Sequence, residues 1–442
     1  MRGFSLACAG CGAVPPPIEV EPYPFRCRCA GASRDVDHVI TRLLGDSPPP
    51  WPSAGEQNPF IRYRRLLYSW QIARTLGIED QAYVSLVGAL DECVAAVSGA
   101  GFRVTPFERC EALSAALGLA GDGAVWVKNE TGNVSGSHKG RHLAGIMVHL
   151  LVLERAGVTK GRPELAIASC GNAALAAAVI ARAAEWPLRA FVPPDASPAV
   201  LARLRELGAT LVTCPRVPGE SGDPCYLRFR EALAAGAVPF CCQGPDNGLT
   251  IEGGETIAYE MIDASGAPAL DAIVIQVGGG ALASACIQGF ARAASLGRLR
   301  RLPRVYTAQT TGAAPLARAY ERVAELAGRA TVEEAIRHAA THRTAFMWPW
   351  ETAPRSIAHG ILDDETYDWV AVVKGMLETA GRPIVVSEAT LAAANERARD
   401  MTGIDVDHTG SAGLAGLIEL RTAGDVGASE KTAVIFSGVR RA

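Results

Sequence analysis

The chain has 442 residues, which suggests roughly two or three domains of ordinary size. Lys plus Arg is 43 and Asp plus Glu is 46, for a formal net charge of −3, and this near-balance excludes a protein built mainly to coat nucleic acid or an acidic membrane. Hydrophobic residues make up 49% and charged residues 20%, which excludes a disordered chain and fits a globular one with a large core.

Met1 to Gly10 holds one arginine and no apolar run long enough for export, so a cytoplasmic protein with its 12 cysteines reduced is expected. Residues 1–31 stand apart. Cys8-Ala-Gly-Cys11 is followed by Cys27-Arg-Cys29, with Pro, Gly and Arg between them and little apolar periodicity. Two such pairs can set four thiolates, Cys8, Cys11, Cys27 and Cys29, around one zinc; the alternative is free thiols in a short tail. A segment this short cannot build a core, so its order would depend on metal. Residues 32–57 read as a linker, because Ser47-Pro-Pro-Pro-Trp-Pro favours polyproline geometry.

Residues 58–442 read as α/β, with a smaller subdomain at about 137–250. Strands are predicted at Val125–Lys128, Leu165–Ala168, Arg189–Val192, Thr210–Thr213, Ile273–Val277, Arg304–Ala308 and Thr432–Phe436. Helices are predicted at Lys139–Ala156, Ala173–Ala184, Pro198–Leu207, Ile251–Ile262, Ala281–Ala294, Ala389–Asp400 and Ala412–Thr422. Apolar strands alternating with helices imply parallel sheets covered on both faces. Ala272 to Phe290 is the most apolar stretch. Gln276 and three glycines break it into strand, loop and helix, so no membrane span is expected.

Four constellations carry candidate chemistry. In Asn133-Val-Ser-Gly-Ser-His-Lys139-Gly-Arg, a lysine enters the first turn of a helix. The positive end of the helix dipole there favours the neutral amine, the form that attacks a carbonyl. Ser169-Cys170-Gly171-Asn172 follows a strand and precedes a helix, where small side chains and free N–H groups can hold an anion; an Asn N-cap is the other reading. Gly278-Gly279-Gly280-Ala281 joins an apolar strand to a helix and lets backbone N–H groups approach a phosphate. It lacks both the dinucleotide-binding spacing and the lysine of a P-loop. Ser437 follows the last strand and can point its hydroxyl into the same crevice.

The order of lysine helix, S-x-G-N loop, glycine loop and terminal serine resembles the fold-type II enzymes that use pyridoxal 5′-phosphate. Within that superfamily the chain looks most like threonine synthase and its relatives. The resemblance spans about residues 58 to 442 and includes Ile61-Arg-Tyr-Arg, Val125-Trp-Val-Lys-Asn-Glu130, Glu252-Gly-Gly-Glu-Thr-Ile-Ala-Tyr-Glu and Gly403-Ile-Asp-Val-Asp-His-Thr-Gly. The cysteine pairs are likewise similar to a zinc-ribbon-like extension. The resemblance implies two parallel-sheet domains with the cofactor in the cleft between them. It implies that Lys139 bonds the cofactor aldehyde and that Asn172 contacts the ring hydroxyl. Gly278, Gly279, Gly280 and Ala281 would hold the phosphate, and Ser437 would face the pyridine nitrogen. Ser169, Cys170 and Gly171 would line the pocket for the carboxylate of a small amino-acid substrate. A homodimer is expected.

Several positions depart from the family pattern. His138 stands where Phe is usual and Gly140 where Asp is usual, and Cys170 takes the second place of the S-x-G-N loop. These changes flank the substrate pocket. They point to β- or γ-elimination or replacement on an amino acid, with serine/threonine ammonia-lyase activity as the alternative and a non-catalytic zinc-ribbon scaffold as a remote one. Arg141, Arg203 and Arg205 are candidate cations for a phosphorylated substrate. His138 is a candidate helper whose side chain is expected to point away from Lys139.

Overall fold

A computed structural model describes residues 3–33, 35–52, 55–217, 219–220, 222–264 and 269–441. Its strands are β1 (Phe4–Cys8), β2 (Ile40–Leu44), β3 (Phe107–Cys110), β4 (Ala124–Asn129), β5 (Leu165–Ala168), β6 (Leu188–Val192), β7 (Thr210–Thr213), β8 (Val238–Pro239), β9 (Ala272–Gln276), β10 (Arg304–Thr310), β11 (Pro383–Val386) and β12 (Lys431–Phe436). They form three sheets. The largest has the order β11-β10-β9-β12-β4-β3, parallel except for the edge strand β3. A second, wholly parallel sheet has the order β7-β6-β5-β8. The third is the antiparallel pair β1-β2.

The predicted strands and helices form where the apolar runs place them. Every residue of β9 is buried, as a strand covered on both faces requires. The helix Lys139–Arg155, here the lysine helix, is buried on nearly every side from Gly140 to Leu153. A helix buried on nearly every side belongs in a core, and this one packs between the helices Asn172–Ala183 and Thr250–Asp263. No helix among the described residues is long and apolar enough to cross a membrane.

The N-terminal segment is less separate than its sequence suggests. Cys8 on β1 pairs with Ile40 on β2, so the unit continues past residue 31 to Leu44. Phe25, Cys27 and Ile40 are buried in the same apolar cluster as the lysine helix. Arg42 on β2 is buried between Glu252 and Glu255 of the helix Thr250–Asp263, and Arg292 closes that cluster on Glu255 at 3.1 Å.

A second buried charge cluster lies under the lysine helix. Arg141 places Nε 2.8 Å from Glu130 and Nη1 2.5 Å from Glu260. Lys128, on β4, meets Glu260 at 2.5 Å. Thr105 and Thr256 complete the guanidinium shell. The four charged side chains are closed to solvent, and two cations balance two carboxylates. Breaking such a set leaves an uncompensated buried charge. Arg141→Met is therefore expected to cost about 3–5 kcal/mol in a urea titration; a loss under about 1 kcal/mol, the scale of an exposed pair, would show that the cluster does not hold the fold.

Candidate functional site

Four loops meet at strand carboxyl ends, where open parallel sheets bind ligands. β9, β12 and β4 are neighbours, and they deliver the glycine loop, Ser437 and the lysine loop to one edge. β5 of the small sheet delivers Ser169 to Asn172. The lysine loop is pinned to the terminal segment. The Glu130 N–H donates to the Phe436 carbonyl at 2.7 Å, and the Val439 N–H donates to the Gly136 carbonyl at 2.9 Å. Gly136 holds φ at +72°, and a Cβ there would lie 2.3 Å from Val439 Cγ1, so only glycine permits this close approach.

Lys139 is the first residue of its helix, with His138 at the N-cap. Its charge reaches His138, His142, Cys242, Asp363 and Asp368, which places it among the buried polar groups of the cleft. His138 does not point away. Its N–H donates to Ser437 Oγ at 3.0 Å, and its ring Nδ1 lies 2.5 Å from the same oxygen. Its backbone is already helical (φ −57°, ψ −20°), and its side chain turns to Ser437. Burial, strengthened by the nearby Lys139 charge, holds its imidazole well below the usual range, so the ring is neutral.

Asn172 is the first residue of the helix Asn172–Ala183, and its side chain makes no capping bond. Its Oδ1 instead accepts from Arg441 Nη1, while Arg441 Nη2 donates to the Ser135 carbonyl at 2.7 Å. A guanidinium only donates, so it claims the amide oxygen and leaves the Asn172 NH2 for an acceptor. Arg441 thus bridges from the C-terminal segment of the large sheet to the small sheet's loop. Neither its position nor its contact has a motif. Cys170 is half-buried, and burial, with Asp195 and Asp223 nearby, raises its thiol. Cys241 and Cys242 lie just past β8, and both are buried.

The cations expected for a phosphorylated substrate lie elsewhere. Arg141 is closed in the charge cluster, and Arg203 pairs with Glu206 at 3.1 Å on an exposed helix face.

The glycine loop is roofed by residues 361–368, a segment the sequence did not single out. Thr366 Oγ1 donates to the Gly278 carbonyl at 2.9 Å, and the Asp368 N–H donates to the Gly279 carbonyl at 3.1 Å. Gly280 caps the helix Ala281–Ser295 at φ +96°. The Gly279 N–H faces the Asp363 carboxylate, and a Cβ on Gly278 would lie 2.3 Å from Asp363 Oδ2. The loop therefore already faces a carboxylate oxygen. Burial pushes the Asp363 carboxyl up to about 6 against the pull of Lys139 and the Gly279 N–H. Burial, with Asp37 nearby, pushes Asp368 up to about 7.

In the N-terminal unit, Cys8, Cys11, Cys27 and His38 bring four ligand atoms within 4.8 Å of one another. His38 takes the fourth place expected for Cys29. The β1-β2 register explains this, because Cys8 faces Ile40 and so draws in the residue two before it. Cys29 turns its backbone N–H to Cys27 Sγ at 3.4 Å.

Residues 100–438 match the family described as pyridoxal-phosphate dependent enzyme. The chain is 26% identical over 344 residues to a threonine synthase of Methanosarcina acetivorans, covering 76% of this chain and 74% of that protein. It is 24% identical over 422 residues to the threonine synthase of Methanocaldococcus jannaschii, covering 93% and 91%. The fold is also similar to the processed form of threonine deaminase isoform 2 from Solanum lycopersicum. That likeness has a TM-score of 0.58 at 17% identity and covers 82% of this chain and 91% of that one.

His142 lies below the site, with Nδ1 2.8 Å from the Thr250 carbonyl, and burial pushes its imidazole down to about 3. Its folded pKa is below the unfolded one, so the unfolded chain takes up the proton first and stability falls as pH drops through 6.5 towards 3. Replacing His142 with Phe removes that term. The stability gap between wild type and variant, read from urea midpoints, should narrow between pH 6.5 and 4; a gap constant across that window would contradict the assignment.

Proposed function

The chain belongs to the pyridoxal-phosphate-dependent enzymes, and from that premise we propose that it catalyses elimination or replacement at the β or γ carbon of a small amino acid. One observation carries the reading: Lys139, Ser437, the glycine loop and the Ser169–Asn172 loop all lie at strand carboxyl ends, with the first three on adjacent strands. The residues suit the cofactor. The glycine loop already faces an anionic oxygen, so Gly278, Gly279, Gly280 and Ala281 would hold the phosphate once Asp363 withdraws. Ser437 would face the ring nitrogen, and the free NH2 of Asn172 would meet the ring oxygen. When bound, the cofactor supplies an electron sink for loss of the α-proton. Ser169, Cys170 and Gly171 orient the substrate carboxylate. The Lys139 amine would be the base that moves the α-proton.

Serine or threonine as an ammonia-lyase substrate is the second reading. What favours it is the placement of Arg141, closed in a buried charge cluster and so unavailable to a phosphate ester. The same proposal takes the protein as a cytoplasmic homodimer. It also includes one structural zinc on Cys8, Cys11, Cys27 and His38, a three-thiolate, one-imidazole donor set that suits that ion.

Two measurements test these readings. Holoenzyme offered serine, threonine, O-phosphoserine, O-acetylserine, O-phosphohomoserine and cysteine should release an α-keto acid or phosphate from at least one of them. Transamination with no leaving group released from any would contradict the reaction class. Purified protein should carry about one zinc. Cys8→Ser and His38→Ala should lose it and lower the melting temperature of the whole chain, whereas Cys29→Ser should keep it. Loss of zinc from Cys29→Ser with retention in His38→Ala would reverse the ligand assignment.

A further inference from the structure

We propose that His138 is a positioning residue whose ring Nδ1 takes the Ser437 proton and so turns Ser437 into an acceptor towards the group it faces. The inference rests on the reading in which Ser437 faces the ring nitrogen of the bound cofactor. It goes beyond that reading by naming what decides the hydroxyl's direction.

A hydroxyl has one proton to give and two lone pairs. Ser437 is 2% exposed, so water does not set its direction. One residue claims two of those three capacities. The His138 N–H fills one lone pair at 3.0 Å, and the ring Nδ1 stands 2.5 Å from the same Oγ. The backbone bond is fixed in kind, because an amide N–H can only donate. The ring contact is not. A protonated Nδ1 would fill the second lone pair and leave the Ser437 proton for a bare ring nitrogen. A bare Nδ1 accepts the Ser437 proton and leaves one lone pair for a ring nitrogen that carries its own proton.

Two points favour the bare Nδ1. The imidazole is neutral, because burial opposes its protonation, so one nitrogen lacks a proton. A neutral imidazole intrinsically prefers the proton on Nε2. The ring is also held in place. It stands edge-on to His142 with centroids 5.5 Å apart at 80°, and His142 is anchored to the Thr250 carbonyl. The terminal segment is held in turn by the Glu130 and Val439 backbone bonds, so Oγ cannot drift from the ring.

The consequence departs from what Ser437 alone implies. A lone serine would donate to the ring nitrogen and leave it unprotonated. The His138–Ser437 pair accepts from a protonated one, and so supports a stronger electron sink than the serine by itself.

Holoenzyme loaded with cofactor labelled with ¹⁵N at the ring nitrogen tests this by NMR. Wild type should show the resonance at the protonated end. His138→Phe, which frees the Ser437 proton, should move it to the unprotonated end. His138→Asn, whose amide oxygen can take Nδ1's place, should stay near wild type. Ser437→Ala should also move the resonance. If Ser437→Ala moves it and His138→Phe does not, this proposal alone is overturned. If neither moves it, Ser437 does not face that nitrogen and both readings fall. Should His138→Phe not fold, the His138 tautomer in selectively labelled wild-type holoenzyme decides: a bare Nδ1 supports the proposal, and a protonated Nδ1 overturns it.

Discussion

Arg141 stands two residues after Lys139 and is gripped by two carboxylates, Glu130 from the end of β4 and Glu260 from the helix Thr250–Asp263. Lys128 supplies the second cation, so the cluster is neutral and dry. Each of the four is costly to bury alone and tolerable only in company. That mutual need joins a strand of the large sheet, the helix Thr250–Asp263 and the first turn of the lysine helix into one rigid block. The position of Lys139 follows from it, because a helix whose first turn is clamped at Arg141 cannot rotate its first residue away from the cleft.

Around that block the topology supplies the rest. Parallel strands all end at one edge, so residues far apart in sequence arrive together without any single motif encoding the site. The C-terminal segment adds a second level of control. Ser437 is held by His138, and Arg441 holds Asn172, so the last residues of the chain touch both sides of the cleft. Asp363 adds a third. Its carboxylate satisfies the glycine loop, and a phosphate would need the roof segment to yield it.

The continuous apolar strands and the glycines after them were legible, because burial on both faces leaves a run that periodicity detects. β9 and β12 formed within a residue or so of where the sequence predicts them. The helix Asp80–Ser98 is absent from the predicted elements although its buried positions, Tyr83, Val87, Leu90, Asp91 and Val94, follow the period of an amphipathic helix. His38 escaped notice because it is a lone histidine, and only the register of β1 against β2 brings it to the cysteines. The charge cluster was invisible for a similar reason. Lys128, Glu130, Arg141 and Glu260 look like ordinary surface charges until tertiary structure buries them. The direction of His138 is set by Ser437, which only the return of the last strand brings beside it.

The central claim is that Lys139, among the five lysines of the chain, is the one that carries the cofactor. Lys128 is buried against Glu260, Lys374 pairs with Glu378 on an outer helix, and Lys431 begins β12 at the end opposite the cleft. Borohydride reduction of the loaded protein followed by peptide mapping measures this directly. The account predicts the reduced cofactor on Lys139 alone; the label on any other lysine, or on none in protein that absorbs in the visible, would contradict it.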